Sequence, residues 1–191
     1  MSKSHARLVL AGLLLAWLAC APATAGSVLD EHTGFRDTDT EPEKDDWKER
    51  LGGLPAYPDG KHYVEVPLQL AGSDLDMFID EPALSIGEDG VVRYTLLLRS
   101  PTGAENLFYE GIRCATREWR SYAYGTSAGE WRALGDAPWR GIRDLGVERY
   151  RLELYRYYLC HPTSGPRLRE EMLRRMRYGV PADESMGIKG N

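Results

Sequence analysis

The chain has 191 residues and a formal net charge of −5, from 24 Lys and Arg against 29 Asp and Glu. That acidic balance excludes attraction to nucleic acid or to anionic lipid by bulk charge. The length suits one domain with a moderate core, and three cysteines raise the question of compartment.

The first segment reads as a processing signal. Lys3, His5 and Arg7 make a basic start, Leu8 to Ala19 is a short apolar run, and Ala23-Thr24-Ala25 offers small residues for cleavage before Gly26. Residues 1–25 are therefore expected to be a signal peptide, rather than a retained membrane anchor. A further reading is lipoprotein processing at Cys20, because Leu18-Ala19-Cys20 fits the last three places of a lipobox, although Trp17 departs from it. Only in that case would a membrane be a partner. With the leader removed, Lys3 and Arg7 leave and the formal charge falls from −5 to −7. Residues 26–60 are polar, acidic and without periodicity, and read as a flexible segment. Within them Trp47 to Leu51 forms a short helical turn or a docking element, stopped by Gly52-Gly53.

Residues 61–179 are expected to form the domain, and 180–191 a tail. Tyr63 to Leu70 is strand-like, with Pro67 arguing for an edge or a bulge. Leu75 to Ile79 is a short strand that Glu81-Pro82 should break. Glu88-Asp89-Gly90 is a turn, and Val91 to Arg99 is the clearest strand, its Leu96-Leu97-Leu98 implying cover on both faces. Asn106 to Gly125 is the densest aromatic stretch. It reads as two strands, with Gly111 at a bulge or a close approach. Trp131 and Trp139 fall in turn-rich sequence. From Val147 to Tyr158 the period becomes helical, and a second helix runs from Pro166 at its first position to a cap at Gly179 before Pro181. Strands followed by helices predict an α+β fold: an antiparallel sheet of about five strands, then two C-terminal helices.

Cys114 and Cys160 remain whichever way the leader is processed, an even pair in an oxidising compartment. Their disulfide would close a 46-residue loop, for which chain entropy gives about 4 kcal/mol. It would also bolt the strands to the end of the first helix.

Other constellations carry less. Gly125-Thr126-Ser127-Ala128-Gly129 matches the G-x-S-x-G pattern of a serine hydrolase, with Asp136 or Asp144 and His161 following in hydrolase order, but no helical pattern follows Ser127, so a hairpin turn explains it better. Asp74, Asp76, Asp80 and Glu81 lack calcium-loop spacing, and His62 and His161 are isolated, so neither a metal nor another cofactor is expected. Ten arginines fall between Arg140 and Arg177. They could meet the acidic N-terminal segment, bind an anionic ligand at the C-terminal helices, or form a solvated face with pairs such as Glu170–Arg174 and Glu171–Arg175.

Tyr109-Glu110-Gly111-Ile112-Arg113-Cys114-Ala115-Thr116, then Tyr122-Ala123-Tyr124-Gly125, resembles the cryptic neisserial protein 1-like family. Tyr94 to Glu105, Trp139-Arg140-Gly141-Ile142 and Tyr155 to Cys160 extend the likeness over roughly residues 61–179. The resemblance implies a periplasmic protein or lipoprotein of Gram-negative bacteria. It supplies no activity and no catalytic residues. The reading is thus an exported cell-envelope protein, a non-enzymatic binding or structural module with an unknown envelope partner. Its alternatives are an outer-membrane lipoprotein tethered through Cys20 and a small hydrolase using Ser127.

Overall fold

The computed structural model describes residues 46–68 and 74–181. The leader, Cys20, most of the acidic segment, Leu70 and the end of the tail lie outside the described residues. Among the described residues, no helix is long and apolar enough to cross a membrane.

An antiparallel sheet is built in sequence order from β1 (Tyr63–Glu65), β2 (Asp76–Ile86), β3 (Val91–Arg99), β4 (Glu105–Arg113), β5 (Glu118–Gly125) and β6 (Trp131–Ala133). A short β7 (Arg140–Gly141) also pairs with β5, opposite Glu118 and Trp119. From β2 to β6 each strand pairs with its predecessor across a short connection, so this part of the sheet is a meander with mostly local pairing. Glycine serves one such turn directly: Gly90 sits at φ 75° between β2 and β3. β3 is buried from Val91 to Leu97, as its β-branched and leucine-rich sequence demands. β1 is the edge strand, and it ends ahead of Pro67, which cannot donate to a ladder.

Two strand expectations are corrected. Glu81-Pro82 does not break β2. The strand passes through it with a shift of register between Asp80 and Ser85, and Arg169 donates to the carbonyls of Glu81 and Leu84 at 2.7 and 2.9 Å. The guanidinium thereby satisfies backbone acceptors in the stretch where register is lost. The turn-rich stretch around Trp131 and Trp139 carries β6 and β7, which raises the sheet from about five strands to seven.

The helical half follows. A 3-10 turn at Gly146–Glu148 leads into α1 (Arg149–Glu153), which widens into a π turn at Leu154–Leu159. Cys160–His161 (β8) then pairs with Gly165–Pro166 (β9), and α2 spans Arg169–Tyr178. Pro166 is therefore in a strand pair, not at the first helical position. The helix starts three residues later and stops where Gly179 takes φ 87° and its amide meets the Arg175 carbonyl.

The sheet uses its two faces differently. On the inner face Ile79, Val92, Tyr94, Leu96, Ile112 and Trp119 share one core with Tyr150, Leu154 and Leu159 and with Met172, Leu173 and Met176 of α2. The Cys114–Cys160 disulfide sits in that core with Cα atoms 5.6 Å apart. It joins the end of β4 to the end of the π turn, so one bond links sheet and helices. The outer face carries a smaller cluster of Tyr109, Tyr122 and Ala123 with Trp131 against it.

Candidate functional site

The outer face holds a dense polar arrangement that the fold brings together from distant sequence. Its floor is made by alternation: Arg93 on β3, Tyr109 on β4, and Arg120 and Tyr122 on β5. A bulge between Tyr109 and Glu110 on the β4–β5 pairing accommodates Tyr122 as an extra residue of β5. Gly111 lies beneath. A Cβ there would stand 2.7 Å from the Tyr122 hydroxyl and 2.9 Å from Val91 Cγ1, so the tyrosine ring occupies the space that any side chain at 111 would need.

Onto this floor comes the segment that begins at Asp46. Glu49 places one carboxylate oxygen 2.5 Å from the Tyr122 hydroxyl, which donates, and 3.3 Å from Arg93 Nη2. Its other oxygen accepts from Arg120 Nη1 at 2.6 Å. Trp47 donates from its indole nitrogen to the Asp89 carbonyl at 2.8 Å, stands edge-on to Trp139 at 5.7 Å, and takes the Arg113 guanidinium over its ring at 4.0 Å. Trp139 in turn meets Tyr122 edge-on. Trp47 and Glu49 thus point inward while Asp46, Lys48 and Arg50 are exposed. Of the two readings of Trp47 to Leu51, the docking element is the one found.

Asp89 supports the clamp from behind. It accepts from Arg93 at 3.0 and 2.6 Å and from the Arg50 amide at 2.7 Å. Burial works against its charge, but the hydrogen bonds from Arg93 and from the Arg50 and Val91 amides outweigh it and hold the carboxyl down at about 2. Burial pushes the Tyr122 hydroxyl far up, and the bond to Glu49 adds to the shift, so that hydroxyl stays a donor. The Nε atoms of Arg93 and Arg120 are buried without a hydrogen-bond partner among the described residues, so the clamp holds more donors than Glu49 uses. Further along, Trp131 donates to the Pro55 carbonyl at 3.1 Å and packs on Tyr57.

A second polar centre lies on the inner face. Glu110, fully buried, receives Arg151 Nη2 at 2.6 Å and Nε at 3.1 Å, and Tyr94 donates to it at 3.2 Å. The Arg151 guanidinium also lies over Trp119, 3.4 Å from the ring centroid. The Arg151 contacts of this centre join the sheet to α1, and the Tyr94 bond joins β3 to β4, which is a fastening role.

Sequence-predicted site residues separate accordingly. Cys114 and Cys160 are bonded. Ser127 sits in the β5–β6 turn, closed by the Gly129 amide on the Thr126 carbonyl and the Thr126 amide on that of Glu130. It leads to a strand, whereas a nucleophile elbow leads to a helix. His161 is on β8, with the Thr163 hydroxyl 3.3 Å from Nδ1. Among the described residues no three His, Cys, Asp or Glu side chains gather as a metal set.

The C-terminal arginines divide: Arg140, Arg143, Arg149, Arg156, Arg174 and Arg177 are exposed, as a solvated face requires, while Arg151, Arg167 and Arg175 are buried and Arg169 is half-buried. Arg151 holds Glu110. Arg167 and Arg175 are buried and both reach Glu171, at 2.7 and 2.9 Å. Arg169 caps β2 carbonyls, Arg177 pairs with Glu81, and Arg149 reaches Asp144 at 3.3 Å. The Glu171–Arg175 pair is present as expected. Arg156 is exposed and lines a cleft of 440 Å³ with Tyr155, Tyr157, Cys160 and Pro162.

The Glu49 clamp was not read from the sequence. Its signal was a lone Trp-Lys-Glu in an otherwise featureless acidic stretch, and the partners of Glu49 lie 44 to 73 residues away.

A family model described as the CNP1-like family matches residues 42–177. That span opens ahead of the docked segment and closes within α2. Cryptic neisserial protein 1 of Neisseria gonorrhoeae (strain ATCC 700825 / FA 1090) is 28% identical over 128 residues, covering 58% of this chain and 62% of that protein. The chain therefore spans about three fifths of the length of that curated relative. No solved structure matches the chain.

Proposed function

This chain belongs to the CNP1-like family, a family of uncharacterised function, and we propose that it is an exported cell-envelope protein acting as a non-enzymatic binding module through the outer face of its sheet. One observation carries this reading: Arg93, Arg120 and Tyr122 converge on a single carboxylate beside an aromatic slot, on the face opposite the helices. Two guanidinium groups and a hydroxyl on a rigid sheet are suited to recognition, since the donors are positioned before a ligand arrives. The inner face is committed to core packing, which leaves the outer one for a partner. The apolar leader and the closed cysteine pair support export.

The test is photo-crosslinking in the envelope of the producing cell. A photoreactive residue at Lys48 reports on the outer face, and one at Arg174 on α2. Crosslinks from position 48 and none from 174 are expected. The reverse pattern would overturn the assignment of the binding face.

A second reading of the anchorage rests on Leu18-Ala19-Cys20: a lipoprotein tethered to the outer membrane. Mass spectrometry of the mature N-terminus separates them, with a free Gly26 for cleavage and a diacylglyceryl group on Cys20 for lipidation.

A further inference from the structure

We infer that the Arg93–Arg120–Tyr122 clamp is an exchangeable peptide site, whose ligand is an extended segment carrying an aromatic residue and, two positions later, a carboxylate. This deepens the reading of the outer face as the binding face. In the structure the chain fills the site with its own Trp47 and Glu49, which therefore act as a tethered occupant.

Three observations support exchange. First, the anchors are few and separable. Alternate side chains of the segment face the sheet, and the Arg50 amide on Asp89 at 2.7 Å and an exposed Arg50–Glu88 pair add to the hold of Trp47 and Glu49. Second, a hinge follows at once. Leu51 to Leu54 is exposed, Gly52 and Gly53 have nothing within 4 Å of a built Cβ, and Gly53 takes φ 108°. The chain is next anchored at Pro55 and Tyr57, by the Pro55 carbonyl and the Tyr57 ring on Trp131 and by the Tyr57 hydroxyl on the Thr126 carbonyl at 3.4 Å. Residues 46–51 can therefore leave while 55–57 stay. Third, the site holds spare capacity. The buried Nε atoms of Arg93 and Arg120 have no hydrogen-bond partner among the described residues while Glu49 is bound, so a carboxylate free to choose its pose can engage donors that the tethered one does not reach.

The chemistry of the ligand follows from what each subsite takes. The clamp presents guanidinium and hydroxyl donors and needs an anionic acceptor. The slot between Trp139 and Arg113 takes a ring face by edge-on packing and cation–π contact, and the Asp89 carbonyl selects a ring with an N–H. The spacing is that of an extended chain, where residues i and i+2 point the same way. A tethered occupant competes at high effective concentration, so a partner binds the native chain more weakly than a chain whose occupant is disabled.

The experiment uses the full chain and a fluorescein-labelled peptide, Asp-Trp-Lys-Glu-Arg-Leu-Gly-Gly, the sequence of residues 46–53. The W47A/E49A variant is compared with the native chain by anisotropy, with far-UV circular dichroism and an intact Cys114–Cys160 bond as checks of folding. The variant is expected to bind saturably, and the native chain about tenfold or more weaker. Replacing the peptide's Glu by Gln, or its Trp by Ala, should weaken binding by about tenfold or more. Adding Arg120→Gln to the variant should abolish it. A folded W47A/E49A chain that does not bind the peptide overturns the inference, as does binding that survives Arg120→Gln. A native dimer that W47A/E49A dissolves would assign the site to a second copy and overturn it for a partner peptide. If crosslinks from position 48 persist while the peptide fails, the outer face remains the binding face and only the peptide inference falls.

Discussion

Arg151 reaches across 41 residues of sequence to grip both carboxylate oxygens of Glu110, at 2.6 and 3.1 Å, inside the core between sheet and α1. Such a pair stabilises little by itself, because two charges must be desolvated, but removing one partner strands the other. Glu110→Gln is therefore expected to cost about 3–5 kcal/mol in urea unfolding of the oxidised protein. The double variant E110Q/R151M should lose less than the two single losses added together. Simple additivity would mean that the pair is not coupled.

The Cys114–Cys160 bond closes 46 residues and lies within the core. Its loss through C114S/C160S should cost about 4 kcal/mol on the loop-entropy account, which lowers the melting midpoint by roughly 10 °C for a domain of this size. Alkylation of the native protein without reductant should modify neither cysteine. Two alkylated thiols would sink the assignment.

Much of the sheet and both helices were legible because their signals are local. Val91 to Arg99 is apolar, β-branched and bounded by turn formers, and Gly111 announced a close approach that Tyr122 fills. Pro82 misled because its local meaning is a strand break, while Arg169, 85 to 88 residues away, supplies the donors that let the strand continue. Pro166 misled in the same way: it suits a helix start, but β8 pairs with it first. The candidate site was the least legible part. Glu49 looks like any solvated acid until Arg93, Arg120 and Tyr122 arrive from strands that only folding brings together. The arginine-rich C-terminal stretch gave its composition but not its direction: Arg167 and Arg175 share the local Glu171, but Arg151 is buried against Glu110, 41 residues away on β4.

Ser127 tests the hydrolase alternative. Its place in a hairpin turn gives it no helix to lower the energy of a developing oxyanion. A fluorophosphonate probe should leave the folded protein unlabelled, judged by intact mass. Labelling at Ser127 would establish a nucleophile and displace the binding-module reading.

Asp89 predicts an acid-sensitive clamp. Its carboxyl is held at about 2 in the fold against 3.8 for a free one. A depressed folded value means that its stabilisation is fully present above 3.8 and is lost as pH falls toward 2, because the unfolded chain takes up the proton first. The contribution is about 2 kcal/mol. Stability should fall between pH 4 and pH 2 in denaturant titrations. Asp89→Asn should be less stable at pH 7 and show a shallower fall over that window. An unchanged acid slope in the variant would show that Asp89 does not carry it.

Gly111→Ala probes the clamp from beneath. The added methyl would stand 2.7 Å from the Tyr122 hydroxyl, 2.9 Å from Tyr122 Cε2 and 2.9 Å from Val91 Cγ1, so something must move. Overpacking of this kind costs about 1–3 kcal/mol. The tyrosine is the freer of the two, since it stands on the outer face and is held there by Glu49 and by Trp139. Its displacement takes away the hydroxyl that Glu49 accepts from, which loosens the segment around Lys48 and Arg50. Limited digestion with trypsin, read by mass spectrometry, should then cut after these two residues faster than in the native chain, while sites on α2 are cut at the native rate. Tyr122→Phe removes the same hydrogen bond without adding bulk, and should reproduce the faster cleavage at a smaller cost in stability. Equal cleavage in Gly111→Ala and the native chain would mean that β4 shifts instead and that Tyr122 does not govern how tightly the segment is held.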